Sequence, residues 1–443
     1  MIPRGLVRLQ CRVAPIGVER RGRRWYATRV LNPTVPRRAQ WRVLLATSFC
    51  YLFYYTGRQN FGWAIPGIRA DLGLSNTQIG WISGTALACY GAGQLVSGVL
   101  GDRVGGRRMV TLGALLSCGF NWLTSFSQGA WSLAIPWALN GLMQSMGYAP
   151  GTRLIANWWD ARERGKAFGV FNFAAGFSSV LTFGAAILVL ERLSWPWVFR
   201  LPVLLLPVGA LVFFVLVRDR PEELGFPSPP DVARRAGGPA GDAAPASMRA
   251  RYGEVLANRR FLFASLGFGF GNWARLGMLV WVPTHFLGAG WRSDPATAWV
   301  TLSLPVGMAF GALLAGYVAD RLFYANHPRL IVLSLILASL TVLGVFFVPK
   351  DARALGVTLL FLAGFFVFGS FSSFTALCPE LLGHRLTATG VGFMNAVGYA
   401  TAALGDLVIG AVLDASGRTE SIFLLAAGAC LLGALSSALA RAR

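Results

Sequence analysis

The sequence predicts an all-α membrane protein of twelve transmembrane helices in two pseudo-symmetric six-helix halves, and three observations predict it. The 443 residues are 55% hydrophobic and 13% charged, whereas soluble domains carry roughly a quarter charged residues. A spanning helix needs about 20 mostly apolar residues, and twelve such runs start near 41, 78, 108, 131, 165, 195, 259, 296, 328, 353, 385 and 419. Landmarks also repeat along the chain. Arg58 is matched by Arg275, Asp102 of "GDR" by Asp320 of "ADR", and Glu163 of "ERG" by Glu380 of "PELLGHR", at offsets of 217, 218 and 217 residues. Duplication of a six-helix unit leaves this kind of register behind.

Taken in order, residues 1–40 are a basic N-terminal tail with Glu19 as its only acid. The tail lacks the apolar stretch of a secretory signal, and its lack of serine argues against an organellar transit peptide, which stays as the alternative to a cytoplasmic tail. Residues 41–217 form the first six-helix half. Between 218 and 258, prolines at 221, 227, 229, 230, 239 and 245 mix with Gly, Ala and both charges, a composition that neither builds a core nor crosses lipid. This segment is read as a cytoplasmic linker, and 259–443 as the second half. The loops "GDRVGGRR", "DARERGK", "ADRLFYANHPR" and "GHR" alternate with less basic ones such as "SFSQGA" and "GAGWRSDP". Basic loops therefore share one side, assigned to the cytoplasm with both termini.

That asymmetry accounts for the net charge of +21 and leaves no soluble basic domain for nucleic acid. The plasma membrane is the expected location, with an organellar membrane as the alternative. The six cysteines are scattered without metal-type spacing, and His285, His327 and His384 have no metal-ligand companions, so neither a metal nor another cofactor is expected. The only lysines are Lys166 and Lys350. A nucleotide-phosphate loop is thereby excluded, and no nucleophile and base pairing marks an enzyme.

The stretch "YYTGRQNFGWAIP", Tyr54 to Pro66, places Arg58 about seventeen residues into the first span. Arg275 lies about as far into the seventh. A mid-bilayer arginine costs at least about 2.5 to 3.5 kcal/mol, so each must face a cavity or a partner. No carboxylate sits three or four residues from either, which removes pairing along one helix. Equivalent placement points both guanidiniums at the central axis, where forked donors suit phosphate or carboxylate. Pairing with a distant acid such as Asp406 is the competing reading. Tyr55, Asn60 and Asn272 are the further substrate-binding candidates. Asp406, in "ALGDLVIG", is the clear carboxylate deep in a span and the coupling candidate: it titrates, contacts substrate or pairs across the cavity. Asp102, Arg103, Arg153, Glu163, Arg164, Asp320 and Arg321 are expected to gate, since loop carboxylates can meet helix N-termini and latch the inward-closed state.

Two parallel six-span halves are the arrangement of major facilitator transporters. Within that superfamily the chain resembles the organophosphate:phosphate antiporters, the group of glycerol-3-phosphate and hexose-phosphate exchangers, from Trp41 to the C-terminus. The similar stretches are "YYTGRQNF", "LGLSNTQIGWISGTALACYGAGQLVSGVLGDR", "NGLMQSMGYAPGTRLIANWWDARERGKAFGVFN", "RDRPEELGFP" and "WARLGMLVWVPTHF". The resemblance implies that Arg58 and Arg275 hold the phosphate. It also exposes a departure: a lysine and a histidine of the bacterial exchangers fall on Gln94 and Ala175 here. The implied function is secondary transport of a small organic anion, an organophosphate such as a sugar or glycerol phosphate, exchanged for inorganic phosphate by alternating access. The implied partners are that solute, inorganic phosphate and the lipid bilayer, for a monomer. A proton-coupled carboxylate symporter with Asp406 as proton carrier, and a transporter-like sugar-phosphate sensor, are the alternatives.

Overall fold

The structure, a computed structural model, describes residues 35–227, 229, 248–288, 295–322 and 326–440. Residues 1–34 of the N-terminal tail, and residues 228 and 230–247 of the expected linker, lie outside the described residues. In chain order the α-helices are α1 (Arg37–Tyr54), α2 (Phe61–Leu72), α3 (Asn76–Val104), α4 (Gly106–Thr124), α5 (Ala130–Trp158), α6 (Ala161–Arg192), α7 (Pro196–Arg200) and α8 (Leu205–Leu216). Beyond the linker come α9 (Met248–Ala257), α10 (Arg259–Phe286), α11 (Pro295–Val300), α12 (Ser303–Leu322), α13 (His327–Phe347), α14 (Arg353–Gly369), α15 (Phe371–Ser416) and α16 (Ser421–Leu439). Each of the twelve expected starts falls on a helix or within two residues of one.

Seven helical stretches among the described residues are long and apolar enough to cross a membrane: Glu163–Arg192, Pro196–Leu216, Pro295–Leu314, His327–Phe347, Arg353–Gly383, Thr389–Ser416 and Ser421–Leu439. Helices α3, α4, α5 and α10 are comparably long but are not among these stretches. Leu211 and Leu404 are each 65% exposed. Large aliphatic side chains left bare in this way form the surface that lipid covers.

Two glycines with positive φ set the chain reversals. Gly105, at φ 91, separates α3 from α4, and Gly383, at φ 72 and ψ 165, divides α15 into two rods. Residues with a Cβ rarely adopt either conformation. Asn258 and Asn326 begin α10 and α13 by accepting the backbone N–H of Phe261 and Arg329, the ordinary N-cap arrangement.

The first span is broken. α1 ends at Tyr54, a 3-10 turn covers Tyr55–Gly57, and α2 resumes at Phe61. Breaking a helix inside a membrane frees carbonyls that must find donors. Here α4 and α5 supply them: Asn140 and Asn121 donate to the Gly57 carbonyl at 2.7 and 3.0 Å, and Gln144 donates to that of Tyr54 at 3.0 Å.

Helices before and after the linker meet through α2 with α10, α3 with α15, and α6 with α12. A Cβ at Gly62 would collide with the Val280 carbonyl, and one at Gly84 would stand 2.6 Å from the Ala403 carbonyl. The α3–α15 contact runs from Tyr90 against Tyr399 out to Asn76 and Thr77 against Asp414. It thus lies toward the end of α3 opposite the Gly105 loop.

The repeat landmarks do not all occupy matching places: Arg58 lies in the break between α1 and α2, whereas Arg275 lies within the continuous α10. Asp102 and Asp320 both lie within three residues of a helix end, but Glu163 opens α6 whereas Glu380 precedes the Gly383 break.

Candidate functional site

Arg58 emerges from the break in the first span, and the break decides where it points. Its guanidinium lies 4.5 Å from the ring of Tyr55 and 4.6 Å from that of Tyr90, so a cation is held between two aromatic faces. Its Nε is buried without a hydrogen-bond partner, as is Oε1 of the adjacent Gln59. Both residues line a cavity of about 30 Å³ with Ser83, Leu87, Tyr90 and Asn140. That volume admits about two water molecules.

Arg275 is 6% exposed in the middle of α10. Its Nε and Nη2 donate to Oδ1 of Asn272 at 3.1 and 2.8 Å, one helical turn earlier. The rings of Phe368 and Phe371 lie 5.2 and 4.7 Å from the guanidinium. Among the described residues neither arginine forms a salt bridge. The two positive charges are therefore buffered by ring quadrupoles and an amide, with no carboxylate to neutralise them.

A chain of contacts joins the pair. Tyr90 packs on Tyr399 of α15 with ring centroids 4.5 Å apart. A Cβ at the neighbouring Gly398 would lie 3.3 Å from Nδ2 of Asn272, and Asn272 holds Arg275. Tyr51 and Tyr148 extend the aromatic wall, their rings 5.9 Å apart.

Of the sequence candidates, the structure places Tyr55 against Arg58 and Asn272 against Arg275. Asn60 is directed elsewhere. Its Nδ2 donates to Asn121 Oδ1 at 2.8 Å and to the Val198 carbonyl at 3.3 Å, so it belongs to the polar core that satisfies the broken first span. Ala175 is buried at 6% exposure, with a methyl where the resemblance would set an imidazole.

Asp406 is fully buried and does not pair with either arginine. Ser83 of α3 donates to its Oδ2 at 2.6 Å, and Trp281 of α10 donates to Oδ1 at 3.2 Å.

The gating candidates fall into three groups. The side chains of Asp102, Arg103 and Asp320 lie outside the described residues. Glu163 pairs with Arg37, and Arg164 donates to the carbonyls of Ala156 and Trp159, all among the helices before the linker. Arg153 lines a polar cavity of about 230 Å³ with Asn157, Asp219, Arg220 and Glu223, while Arg321 is exposed at the end of α12. The carboxylate at the start of α4 is Asp219, which accepts the Arg107 N–H at 2.8 Å. Sequence reading also missed Ser83, Tyr90, Phe368, Phe371 and Tyr399, which lie in other spans than the arginines and share no short-range spacing with them.

Comparison with known proteins gives a consistent picture. The sequence profile of the Major Facilitator Superfamily matches residues 47–406. The chain is 26% identical to a probable hexose phosphate transport protein of Chlamydia pneumoniae, over 85% of this chain and 86% of that protein. It is 28% identical to a phosphoglycerate transporter protein of Salmonella typhimurium, over 88% and 87%. Among solved structures, a bacterial homologue of the human lysosomal transporter Spinster superposes with a TM-score of 0.68 at 16% identity, covering 91% of this chain and 97% of that one.

Proposed function

Because this chain belongs to the Major Facilitator Superfamily and is an integral membrane transporter rather than an enzyme, we propose that its cargo is a small organophosphate exchanged for inorganic phosphate. The observation that carries this reading is the pair of guanidiniums set against aromatic rings, Arg275 buried and Arg58 partly so. Arg58 and Arg275 come from opposite sides of the linker, meet no carboxylate among the described residues, and stand on either side of one aromatic wall. Two forked cations of this kind match the charge and the oxygens of a phosphate dianion. The hexose phosphate and phosphoglycerate cargoes in the names of the relatives support the same class.

Transport then follows from charge. Without an anion the guanidiniums oppose the approach of the two halves. A bound phosphate screens them and lets the halves rock about the site. Inorganic phosphate satisfies the same donors as the ester, which is the requirement for exchange. Asp102, Arg103, Arg153, Glu163, Arg164, Asp320 and Arg321 are proposed to gate the basic-loop side, taken as cytoplasmic. Tyr55 and Asn272 are proposed to position the arginines, and Asn60 to hold the broken helix on which Arg58 sits.

The test is uptake of radiolabelled phosphate into proteoliposomes preloaded with phosphate, hexose phosphates or phosphoglycerates. Arg58→Lys and Arg275→Lys are each expected to lower exchange by at least about tenfold, since a lysine provides a point charge in place of a fork. Wild-type rates in either variant would end the phosphate-clamp reading.

A further inference from the structure

The cavity beside Arg58 presents a donor and an acceptor that have no partner in the protein. Nε of Arg58 and Oε1 of Gln59, a residue only 6% exposed, are buried without a hydrogen-bond partner among the described residues, and both residues line the cavity. Buried polar atoms are normally paired, so two orphans facing one space call for a ligand group that completes both. Their chemistry is complementary. Nε gives a hydrogen, and an amide oxygen takes one. A phosphate oxygen would satisfy Nε but be repelled by Oε1. A hydroxyl accepts and donates at once, and so satisfies the two together.

The rest of the lining suits the same group. Ser83 donates its proton to Asp406 at 2.6 Å, so its oxygen meets the cavity as a second acceptor. Asn140 is turned to the broken span: its Nδ2 donates to the Gly57 carbonyl, and its Oδ1 accepts from Ser117 and Asn121. Leu276, Leu279 and Val280 of α10 close the cavity from the other side of the linker, an apolar wall against which the C–H groups of a carbon skeleton pack. Room for about two waters is room for one hydroxyl and the carbon that carries it.

We propose that Gln59 is a specificity-determining residue: it recognises a hydroxyl on the carbon skeleton of the cargo, in a pocket shared with Nε of Arg58. The Nη groups of Arg58 and the Nη1 side of Arg275 then hold the phosphate. The inference rests on the proposed organophosphate cargo and narrows it to hydroxylated phosphate monoesters, such as polyol and sugar phosphates, over esters of simple alcohols. A site built to bond a hydroxyl rejects an analogue without one because its own polar groups are left unpaired. Water can re-enter this cavity, which limits the difference to about 10- to 100-fold, the range for a hydrogen bond to a charged group.

Glycerol 3-phosphate and propyl phosphate share a carbon skeleton and a phosphate and differ in their hydroxyls alone. Each is titrated as an inhibitor of radiolabelled phosphate uptake into phosphate-loaded proteoliposomes of the full chain. Wild type is expected to be inhibited by glycerol 3-phosphate at a concentration about 10- to 100-fold below that of propyl phosphate. In Gln59→Met, which keeps the length of the side chain without its amide, the ratio should fall to about one. Equal inhibition by the two esters in wild type overturns the hydroxyl pocket without any variant. A wild-type ratio preserved in Gln59→Met overturns the role of Gln59. The same ratio is read from binding, as the rise in unfolding midpoint that each ester gives the detergent-solubilised protein, so a variant that folds without exchanging still decides. Wild type that exchanges no phosphate and is stabilised by neither ester overturns the organophosphate cargo and this inference with it. A missing preference with phosphate exchange intact overturns the inference alone.

Discussion

At Arg275 the usable face of the guanidinium is set by its neighbour. Asn272 takes Nε and Nη2 through a single oxygen, so a bound oxyanion is left the Nη1 side of the fork. Replacing Asn272 with Asp would put a negative charge against the guanidinium and oppose the anion directly. Asn272→Asp is therefore expected to raise KM for phosphate exchange by about 10- to 100-fold, and Asn272→Ala by less, on the basis of about 1.5 to 3 kcal/mol for a hydrogen bond to a charged group. At Arg58 the partners are rings, and Tyr90→Leu removes a face worth about 0.5 to 2 kcal/mol. It should weaken phosphate binding by up to about 30-fold in an equilibrium binding assay. The sequence made the arginines legible because a cation in an apolar run needs a reason. Tyr90 and Phe371 gave no such signal, since aromatic residues are ordinary in lipid-embedded helices.

At the scale of elements, the broken first span explains several polar residues at once. Asn121, Asn140 and Gln144 lie in α4 and α5, and their amides replace the donors lost between Tyr54 and Phe61. Asn140→Leu would remove one donor from the Gly57 carbonyl. It is expected to cost about 1 to 3 kcal/mol, read as a lower midpoint of thermal unfolding in detergent. The α3–α15 contact depends on close backbone approach in the same way. Gly84→Val is expected to abolish exchange, because a side chain there meets the Ala403 carbonyl and backbone cannot move aside as a flexible side chain can. Helix positions were readable from hydropathy. The break was not, because "YYTGRQNF" has no proline and its local pattern continues a helix.

For the whole molecule, the described residues hold the two sides of the linker together most visibly at the far end from the Gly105 loop. There Asp414 of α15 accepts the backbone N–H groups of both Asn76 and Thr77 at 2.9 and 2.7 Å, capping α3 from the other side of the linker. If alternating access requires this end to part, a cross-link between Thr77→Cys and Asp414→Cys should stop phosphate exchange, and reduction should restore it. Exchange that continues in the cross-linked protein would show that this end need not open. The sequence alone determined the membrane class, the helix positions and the placing of two arginines within apolar runs, because each follows from the cost of placing polar groups in lipid and is written locally along the chain. Only the tertiary structure decided that Asp406 binds Ser83 and Trp281 rather than an arginine, that Asn60 turns into a polar core, and that Tyr90 and Tyr399 stand between the guanidiniums. Those pairings join residues up to 323 positions apart, and they depend on how helices rotate and pack, which no periodicity within one helix records.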